Sequence, residues 1–288
     1  MNPSNIAWCH YTHNFWIGCH HVSGECAGCY AEEDTNKKHK VPFHIVRRTS
    51  SDYWNTAYRA EEQAAKKGKS ALVFTCSYSD FFHKDADAWR PAAWDVIRAT
   101  PNLIWLILTK RPERIKASLP EDWGQGWANA WLGVTVGMRS SYHRLETLRE
   151  IPAAKKFISI EPLLESLADI NMSSFDWALV GGMSGDLWHE KRMRIEWAKE
   201  IYEASRKQGV KYLFKQASAP RSECGIDALG RLLGRQDGDC VREFPISLDK
   251  MLPLDVNAGK GMTDEQWEAY LAGLYPKPKL VQISGSAK

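Results

Sequence analysis

The chain has 288 residues, of which 44% are hydrophobic and 25% are charged, a composition typical of a globular protein with a substantial core. Its 38 basic and 35 acidic side chains give a formal net charge of +3, and this small excess does not by itself indicate a nucleic-acid partner. The sequence has neither a long unbroken apolar run nor a basic start followed by an apolar stretch, which argues against a membrane-spanning helix and a secretory signal.

Short apolar runs, rich in branched and aromatic residues, predict β-strands that are buried on both faces. An early run at 14–19 is the candidate first strand. The later runs cover residues 71–76, 103–109, 131–136, 156–161, 177–182 and 211–216. Helix-like segments lie between them, at 51–67, 88–99, 141–150 and 195–208.

This alternation of strands and helices predicts an α/β fold with a parallel sheet. The number of strands favours a partial or full (β/α) TIM-like barrel, with a doubly wound open sheet as the alternative. Near the end, Thr263 to Gln266 forms a capping-box pattern that opens a short helix from Asp264 to about Leu274. We therefore predict a barrel domain over 1–246 and a C-terminal helix and tail, packed on the barrel, over 247–288.

Polar residues and glycines directly follow the predicted strands. In a parallel β/α barrel these positions gather at one end, where functional groups lie. Because most strands are followed by a polar residue, a single such position is weak evidence for a functional site. Several such positions together favour a shared site. The positions are Ser77, Asp80, Thr109, Lys110, Thr135, Glu161, Gly181, Gly182, Lys215 and Gln216.

Some of these positions suit particular contacts. Lys110 can meet a carboxylate as a mobile positive charge. Glu161 can accept hydrogen bonds from ribose hydroxyls or an amine, and a salt bridge at the barrel rim is an equally good interpretation. Gly181 and Gly182 let a ligand approach the backbone closely, although paired glycines also mark simple turns.

The segment GCHHVSGECAGCYAE places Cys19, Cys26 and Cys29 in a C-x6-C-x2-C spacing. Three thiolates can hold a [4Fe–4S] cluster and leave one iron open. An open iron can chelate the amino and carboxylate groups of S-adenosylmethionine. The cofactor then supplies the difficult step, reductive cleavage to a 5′-deoxyadenosyl radical.

A structural zinc site is the competing interpretation, with Cys9, His20 or His21 as a fourth ligand. The spacing alone does not separate zinc from a cluster. The chain has seven cysteines, and this odd number in a long chain argues against a disulfide scaffold. Cys76, at a predicted strand end, is expected to be a small buried hydrophobe. No role is predicted for the other two cysteines, Cys224 and Cys240.

Seven blocks, in order from about residue 5 to 244, resemble a family of phage and prophage proteins of unassigned function, which is marked by three cysteines and related to radical SAM enzymes. The blocks are NFWIGCHHVSGECAGCYAE, VFTCSYSDFFH, LILTKRPERI, WLGVTV, IPAAKKFISIEPLL, DWALVGGMSG and YLFKQ. The CYAE block is also similar to the cluster loop of spore photoproduct lyase-type radical SAM proteins. The resemblance favours an iron–sulfur cluster over zinc.

The resemblance implies a partial TIM-like barrel with the cluster in the loop after the first strand. It makes Cys19, Cys26 and Cys29 the cluster ligands. It puts residues 77–80 where radical SAM enzymes bind the methionyl amine. The carboxylate and ribose contacts then fall on Thr109, Lys110, Thr135 and Glu161.

The sequence departs from the radical SAM pattern at three points. The usual spacing is C-x3-C-x2-C, whereas the first gap here has six residues. The residue before the last cysteine is often aromatic; here it is Gly28, with Tyr30 following that cysteine. After VTV the phage family commonly has a glutamate where this chain has Gly137, which shifts the expected ribose contact to Thr135 or Glu161.

The phage resemblance suggests chemistry on nucleic acid or nucleotides. Radical chemistry suits hydrogen abstraction from an unactivated carbon, so we expect a modified nucleobase of phage DNA as the substrate. Isomerisation of an amino-acid-modified thymine is the specific hypothesis. Such an enzyme needs an electron donor that reduces its cluster. We expect a monomer without a membrane partner, in the cytoplasm, or in the host cytoplasm if a phage encodes it.

A non-catalytic nucleic-acid-binding protein that contains zinc or a cluster is the alternative. Basic clusters at 37–40, 47–48, 66–69 and 191–194 can meet phosphates, although a solvated surface is the ordinary interpretation of each. The polar strand ends disfavour this alternative, because a structural metal site does not need them.

Overall fold

The computed structural model describes residues 1–39, 41–236, 239–255 and 259–273. Strands within these residues are β1 (Asn2–Pro3), β2 (Tyr11–His13), β3 (Trp16–Ile17), β4 (Arg47–Arg48), β5 (Ala71–Thr75), β6 (Leu103–Thr109), β7 (Ala130–Thr135), β8 (Lys156–Ile160), β9 (Trp177–Gly181) and β10 (Lys211–Gln216). Helices within them are α1 (Tyr30–His39), α2 (Ser51–Lys66), α3 (Arg90–Arg98), α4 (His143–Arg149), α5 (Ile195–Gln208), α6 (Ala228–Leu232) and α7 (Asp264–Leu271). None of these helices is long and apolar enough to span a membrane.

Eight strands form one sheet in the order β1-β2-β5-β6-β7-β8-β9-β10, while β3 and β4 form a separate antiparallel pair. Neighbouring strands from β2 to β10 are parallel, and β1 is antiparallel at one edge. The sheet curls into a half-barrel, and its described strands do not close on one another. The predicted α/β fold is confirmed as a mixed α/β architecture with a mostly parallel, curled sheet.

The prediction that the first strand spans 14–19 is wrong. The first parallel strand is Tyr11–His13, which pairs with β5, whereas Trp16–Ile17 pairs with β4 outside the main sheet. Phe15 is fully buried and packs on aromatic neighbours that include Trp105, 5.4 Å away between ring centroids. The apolar run therefore belongs to core packing, while the true strand is polar and lacks the usual β pattern.

The six later strands agree with the prediction to within one residue at each end. Four predicted helices correspond to α2, α3, α4 and α5, and the capping box at Thr263 is formed. The final helix ends at Leu271, and the predicted end near residue 274 lies outside the described residues. Two helices, α1 and α6, were not predicted.

The two faces of the sheet carry different apolar clusters, because side chains alternate along each strand. One face packs against α2 to α5. On the inner face of the curl, the Trp8 ring lies 4.7 Å from Phe74 and 6.5 Å from Trp177 between centroids. Met251 from the C-terminal segment joins this inner cluster. The inside of the half-barrel is therefore packed with side chains.

The outer edge of β10 is covered by the segment that follows α6. Phe214 N–H donates to the Val241 carbonyl at 2.7 Å, and Glu243 N–H donates to the Tyr212 carbonyl at 2.9 Å. These bonds satisfy backbone groups that an edge strand otherwise leaves open. The predicted boundary after residue 246 stays a prediction, and part of its second domain lies outside the described residues.

We expect Gly133→Ala to lower the free energy of unfolding by about 2 kcal/mol, because a Cβ at Gly133 would overlap the Phe157 ring on the inner face. Urea denaturation measures the loss. In a Phe157→Leu background the same change should cost at least about 1 kcal/mol less, since the ring is gone. Additive effects of the two substitutions would contradict this packing account.

Candidate functional site

The three-cysteine loop runs from Gly18 to Cys29, between β3 and α1, at the carboxyl end of the parallel strands. Gly18 N–H donates to the Tyr78 carbonyl just beyond β5 at 3.0 Å, and Cys19 N–H donates to the Phe43 carbonyl at 2.9 Å. Gly18 has a φ of +106°, and a Cβ there would lie 2.8 Å from the Phe43 oxygen. Glycine is therefore required directly before the first cysteine.

A buried ion pair ties the first cysteine to the ends of β5 and β6. Arg111 Nη1 lies 3.1 Å from Asp80 Oδ2 and 3.5 Å from Cys19 Sγ, and its Nη2 donates to the His20 carbonyl at 2.8 Å. Both side chains of the pair are at least nine-tenths buried. Arg111 thereby holds the start of the loop in place.

A second buried ion pair anchors the middle of the loop. The Glu25 carboxylate, next to Cys26, accepts hydrogen bonds from Ser141 Oγ at 2.6 Å and Gly137 N–H at 3.0 Å, and lies 3.3 Å from Arg144 Nη1. Its side chain is fully buried. Although burial opposes ionisation, the hydrogen bonds and Arg144 outweigh it and lower the pKa of Glu25. A charged Glu25 thus fixes the loop against the end of β7.

The connection from β9 to α5 lies over the same loop. Lys191 Nζ donates to the carbonyls of Gly24 at 3.0 Å and Ala27 at 3.3 Å. A Cβ at Gly28 would lie 3.0 Å from the Leu187 side chain. Because Lys191 is turned toward the loop carbonyls, part of the basic cluster at 191–194 is engaged inside the protein.

Burial favours the protonated thiols of Cys19 and Cys29. Burial, reinforced by the charge of Asp80, raises the pKa of Cys19 to about 11, even though Arg111 opposes this effect. Burial also raises the pKa of Cys29. Backbone amides at the start of α1 and the charge of Lys110 act in the opposite direction and favour the Cys29 thiolate. Metal or cluster binding at this loop therefore releases protons.

The sulfur positions bear on the choice between zinc and a cluster. A tetrahedral zinc ion holds thiolate sulfurs about 4 Å apart. In the described part of the chain, the group of three potential ligands that lie within 4.8 Å of one another is His20, His83 and Asp85. The three cysteine sulfurs of the described loop do not form such a group, so they are not arranged around a single tetrahedral zinc position.

Several predicted strand-end residues are engaged by neighbouring protein groups. Thr109 Oγ1 donates to Asp80 Oδ1 at 2.7 Å, so the Asp80 carboxylate accepts hydrogen bonds from both Thr109 and Arg111. The Ser77 carbonyl accepts from the Tyr30 hydroxyl at 2.8 Å. The Thr135 side chain is buried at the end of β7. These residues lie at the same end of the sheet as the cysteine loop.

The other strand-end residues predicted from the sequence are Lys110, Glu161, Gly181 and Gly182. Lys110 borders a cavity of about 450 Å³ together with Ser23, Glu113 and Arg144. Glu161 Oε2 lies 3.4 Å from Lys215 Nζ inside the curl. The two glycines act through close packing: a Cβ at Gly181 would lie 3.0 Å from Glu161 Oε1, and one at Gly182 would overlap Ser218.

Gly137 occupies the position where the resembling phage family commonly has a glutamate. A Cβ at Gly137 would overlap the Pro162 carbonyl oxygen and lie 3.2 Å from Glu25 Cγ. Its N–H donates to Glu25. A side chain at this position would therefore displace the carboxylate that anchors the cysteine loop.

The groups that support the loop were missed by sequence reasoning. These groups are charged side chains that stand in no recognisable sequence motif, and their partners lie 31 to 167 residues away in the chain. They are Arg111, Glu25, Arg144 and Lys191. Arg111 and Glu25 both lie in segments that resemble the phage protein family. This resemblance was the one feature of the sequence that could have pointed to them.

The other cysteines lie apart from the loop. Burial raises the pKa of Cys9 to about 12, and its thiol lies 3.3 Å from Ser4 Oγ. Cys76 is buried at a φ of +56°, as expected for a small buried side chain at a strand end. Cys224 and Cys240 are half-buried.

Fold and site together define an α/β half-barrel protein with a three-thiol loop at the carboxyl end of its parallel strands. The chain belongs to the family described as "Protein of unknown function (DUF5131)", which matches residues 3–245. Among curated proteins the comparison found no match.

Three solved structures of spore photoproduct lyase are similar to this chain, with TM-scores of 0.42 and sequence identities of 13%, 13% and 14%. One is a double mutant with bound AdoMet and dinucleoside spore photoproduct, one is a complex with that dinucleoside, and one is a single mutant. The match covers 69% of this chain and 62% of each lyase chain. A TM-score at this level does not establish a shared activity.

We expect Glu25→Ala to lower the free energy of unfolding by about 3 kcal/mol, because it leaves Arg144 buried without its counter-ion. Glu32→Ala is the matched control from the neighbouring helix. Its carboxylate is 37% exposed and pairs with the exposed His21, so its loss should change stability by less than about 1 kcal/mol. Equal urea midpoints for the two variants would contradict the anchoring role of Glu25.

Proposed function

We propose that the protein is a radical S-adenosylmethionine enzyme whose [4Fe–4S] cluster is held by Cys19, Cys26 and Cys29. The observation that carries the proposal is the position of this loop at the carboxyl end of the parallel strands, with two buried ion pairs that fix it. Functional groups of parallel β/α folds gather at that end. A loop fixed in this way is suited to holding a reactive group in one orientation.

The donor set fits the cluster. Three half-buried thiols on one loop supply three ligands, which leaves one iron free for the cofactor. When bound, the cluster and S-adenosylmethionine supply reductive cleavage to a 5′-deoxyadenosyl radical. An electron donor is then required as a partner. The protein groups hold the loop, limit water and provide the charged surroundings.

We assign the cofactor contacts to the polar strand ends near the loop. Lys110, whose charge favours the Cys29 thiolate, is the proposed contact for the cofactor carboxylate. The other proposed contacts, with the methionyl amine and the ribose, are Ser77, Thr135 and Glu161. Asp80 is hydrogen-bonded to both Thr109 and Arg111, and Gly181 and Gly182 are packed against Glu161 and Ser218. We therefore assign Asp80, Thr109, Gly181 and Gly182 to supporting the site.

The proposed substrate is a modified nucleobase of phage DNA, and the specific reaction is isomerisation of an amino-acid-modified thymine. Tyr30 supports a base near the loop. It directly follows Cys29 and is 47% exposed, while its hydroxyl donates to the Ser77 carbonyl. An exposed, fixed aromatic ring offers a surface on which a base can stack.

Anaerobic reconstitution with iron and sulfide, followed by reduction in the presence of S-adenosylmethionine, should give 5′-deoxyadenosine. Cys26→Ala should reduce its formation at least about hundredfold, because a cluster ligand is lost. Cys240→Ala, which changes a half-buried cysteine outside the loop, should leave it unchanged. Chromatography of the reduced mixture measures the product.

Two outcomes of that experiment would overturn the proposal. Tightly bound zinc without cofactor cleavage would favour the non-catalytic binding protein. Equal cleavage by wild-type protein and Cys26→Ala would mean that the loop does not hold the cluster.

For the substrate, we expect the nucleoside composition of phage DNA to change when the gene is removed from its own phage background. The expected change is accumulation of an unrearranged modified thymidine of the same mass as the missing nucleoside, because isomerisation conserves mass. Nucleoside digestion with liquid chromatography and mass spectrometry measures it. A Cys26→Ala allele should reproduce the deletion, and an unchanged profile would count against DNA modification.

A further inference from the structure

The three cysteines of the loop differ in the hydrogen-bond donors that lie against their sulfurs. Arg111 Nη1 lies 3.5 Å from Cys19 Sγ, within hydrogen-bonding distance of a sulfur acceptor. The donors near Cys29 are main-chain amides at the start of α1, and Ser23 Oγ lies 3.9 Å from Cys26 Sγ. Among the described hydrogen bonds to the three sulfurs, the one from a charged side chain therefore reaches Cys19, and charge-assisted hydrogen bonds are the strong ones.

Two oxygen acceptors fix the orientation of the Arg111 guanidinium. Nη1 lies 3.1 Å from Asp80 Oδ2, and Nη2 donates to the His20 carbonyl at 2.8 Å. Nη1 carries two hydrogens, so it can donate to Asp80 and to Cys19 at the same time. The side chain of Arg111 is only 10% exposed, which limits competition from water. The N–H group that faces the Cys19 sulfur is therefore held in place.

Asp80 is held in turn by donors at the end of β6. Its Oδ1 accepts from Thr109 Oγ1 at 2.7 Å, and its Oδ2 accepts from the Lys110 N–H at 3.0 Å in addition to Arg111. The negative charge of Asp80 disfavours a Cys19 thiolate, whereas Arg111 favours it. Asp80 thus fixes the guanidinium and also offsets part of its charge.

This arrangement bears on the reduction of a cluster held by the loop. Adding one electron increases the negative charge on the cluster and its thiolate ligands. Net charge and hydrogen bonds to the sulfurs set the reduction potentials of iron–sulfur clusters. In a poorly solvated place, a charged donor stabilises the more negative state more than the less negative one. A fixed N–H group at Cys19 therefore makes reduction of the cluster more favourable.

We propose that Arg111 raises the reduction potential of the cluster through the Cys19 sulfur, and that the charge of Asp80 limits this effect. In the reduction, the electron donor loses one electron and the cluster gains it. Arg111 acts through a ligand of the cluster and is a positioning residue. The inference rests on the proposed function for the presence of the cluster, and on the Asp80–Arg111 pair for the change in its potential.

Redox titration of the reconstituted protein, followed by electron paramagnetic resonance of the reduced cluster, measures the midpoint potential. Arg111→Gln should lower the equilibrium constant of one-electron reduction about tenfold, as expected for the loss of one charge-assisted hydrogen bond. A tenfold change corresponds to 59 mV for a one-electron couple. Arg111→Lys keeps the charge without the planar fork, so it should lower the equilibrium constant less.

Arg114→Gln is the matched control, three residues further along the chain. Arg114 Nε donates to the Phe82 carbonyl at 2.8 Å, and its Nη2 lies 2.7 Å from Asp87 Oδ2. The substitution removes an arginine–aspartate pair and a carbonyl contact, and none of the described contacts of Arg114 is with a cysteine. Its midpoint potential should equal that of the wild-type protein. An equal fall in Arg111→Gln and Arg114→Gln would overturn the inference.

Asp80→Asn separates an effect of charge from a structural role. The substitution removes the negative charge beside Arg111 and keeps an oxygen that can accept a hydrogen bond, while the His20 carbonyl still holds Nη2. The midpoint potential should therefore rise, opposite in direction to Arg111→Gln. Disturbance of the loop alone would shift both variants in the same direction. A fall of the midpoint potential in both would contradict the proposed roles.

Iron and sulfide analysis distinguishes this inference from the proposed function. A wild-type protein that binds no cluster after reconstitution would overturn both. A wild-type cluster whose midpoint potential is unchanged in Arg111→Gln would leave the proposed function standing and overturn this inference. If neither Arg111→Gln nor Arg111→Lys binds a cluster, Arg111 is required for the structure of the loop, and its role in setting the potential is overturned.

Discussion

The ion pair between Asp80 and Arg111 joins three parts of the chain that are distant in sequence. Asp80 comes after β5, Arg111 after β6, and the guanidinium reaches the sulfur of Cys19 and the carbonyl of His20. Both partners are buried, so loss of either leaves an uncompensated charge in a poorly solvated place. The cysteine loop has little regular structure of its own and depends on this pair, and on Glu25 with Arg144, for a fixed position.

Apolar and charged side chains occupy different parts of the half-barrel interior. Aromatic and aliphatic side chains such as Trp8 and Trp177 fill the inner face of the sheet. Their packing stabilises the curled shape of a sheet that does not close. Toward the strand ends, Glu161 and Lys215 form an ion pair. The thiols lie on the loop beyond them.

Sequence patterns predicted the later strands well because each is buried on both faces, and such strands are continuously apolar. They failed for β2, whose buried His13 stacks on Tyr53 with ring centroids 4.8 Å apart, because a strand that buries a polar ring against aromatic side chains has no apolar pattern in its sequence. They also missed α1, whose sequence YAEEDTNKKH has no apolar face. Its position is set by contacts such as Tyr78 with Asp34 rather than by periodicity.

The sequence by itself determined the α/β class, the six later strands and the three-cysteine motif, because local periodicity and residue spacing encode these features directly. Only the tertiary structure decided which charges act on the motif: Arg111 and Glu25 support the loop, and Lys191 lies over it. Charged side chains have no intrinsic preference for one partner. Their roles follow from burial and from distances across the fold, which spacing along the chain does not specify.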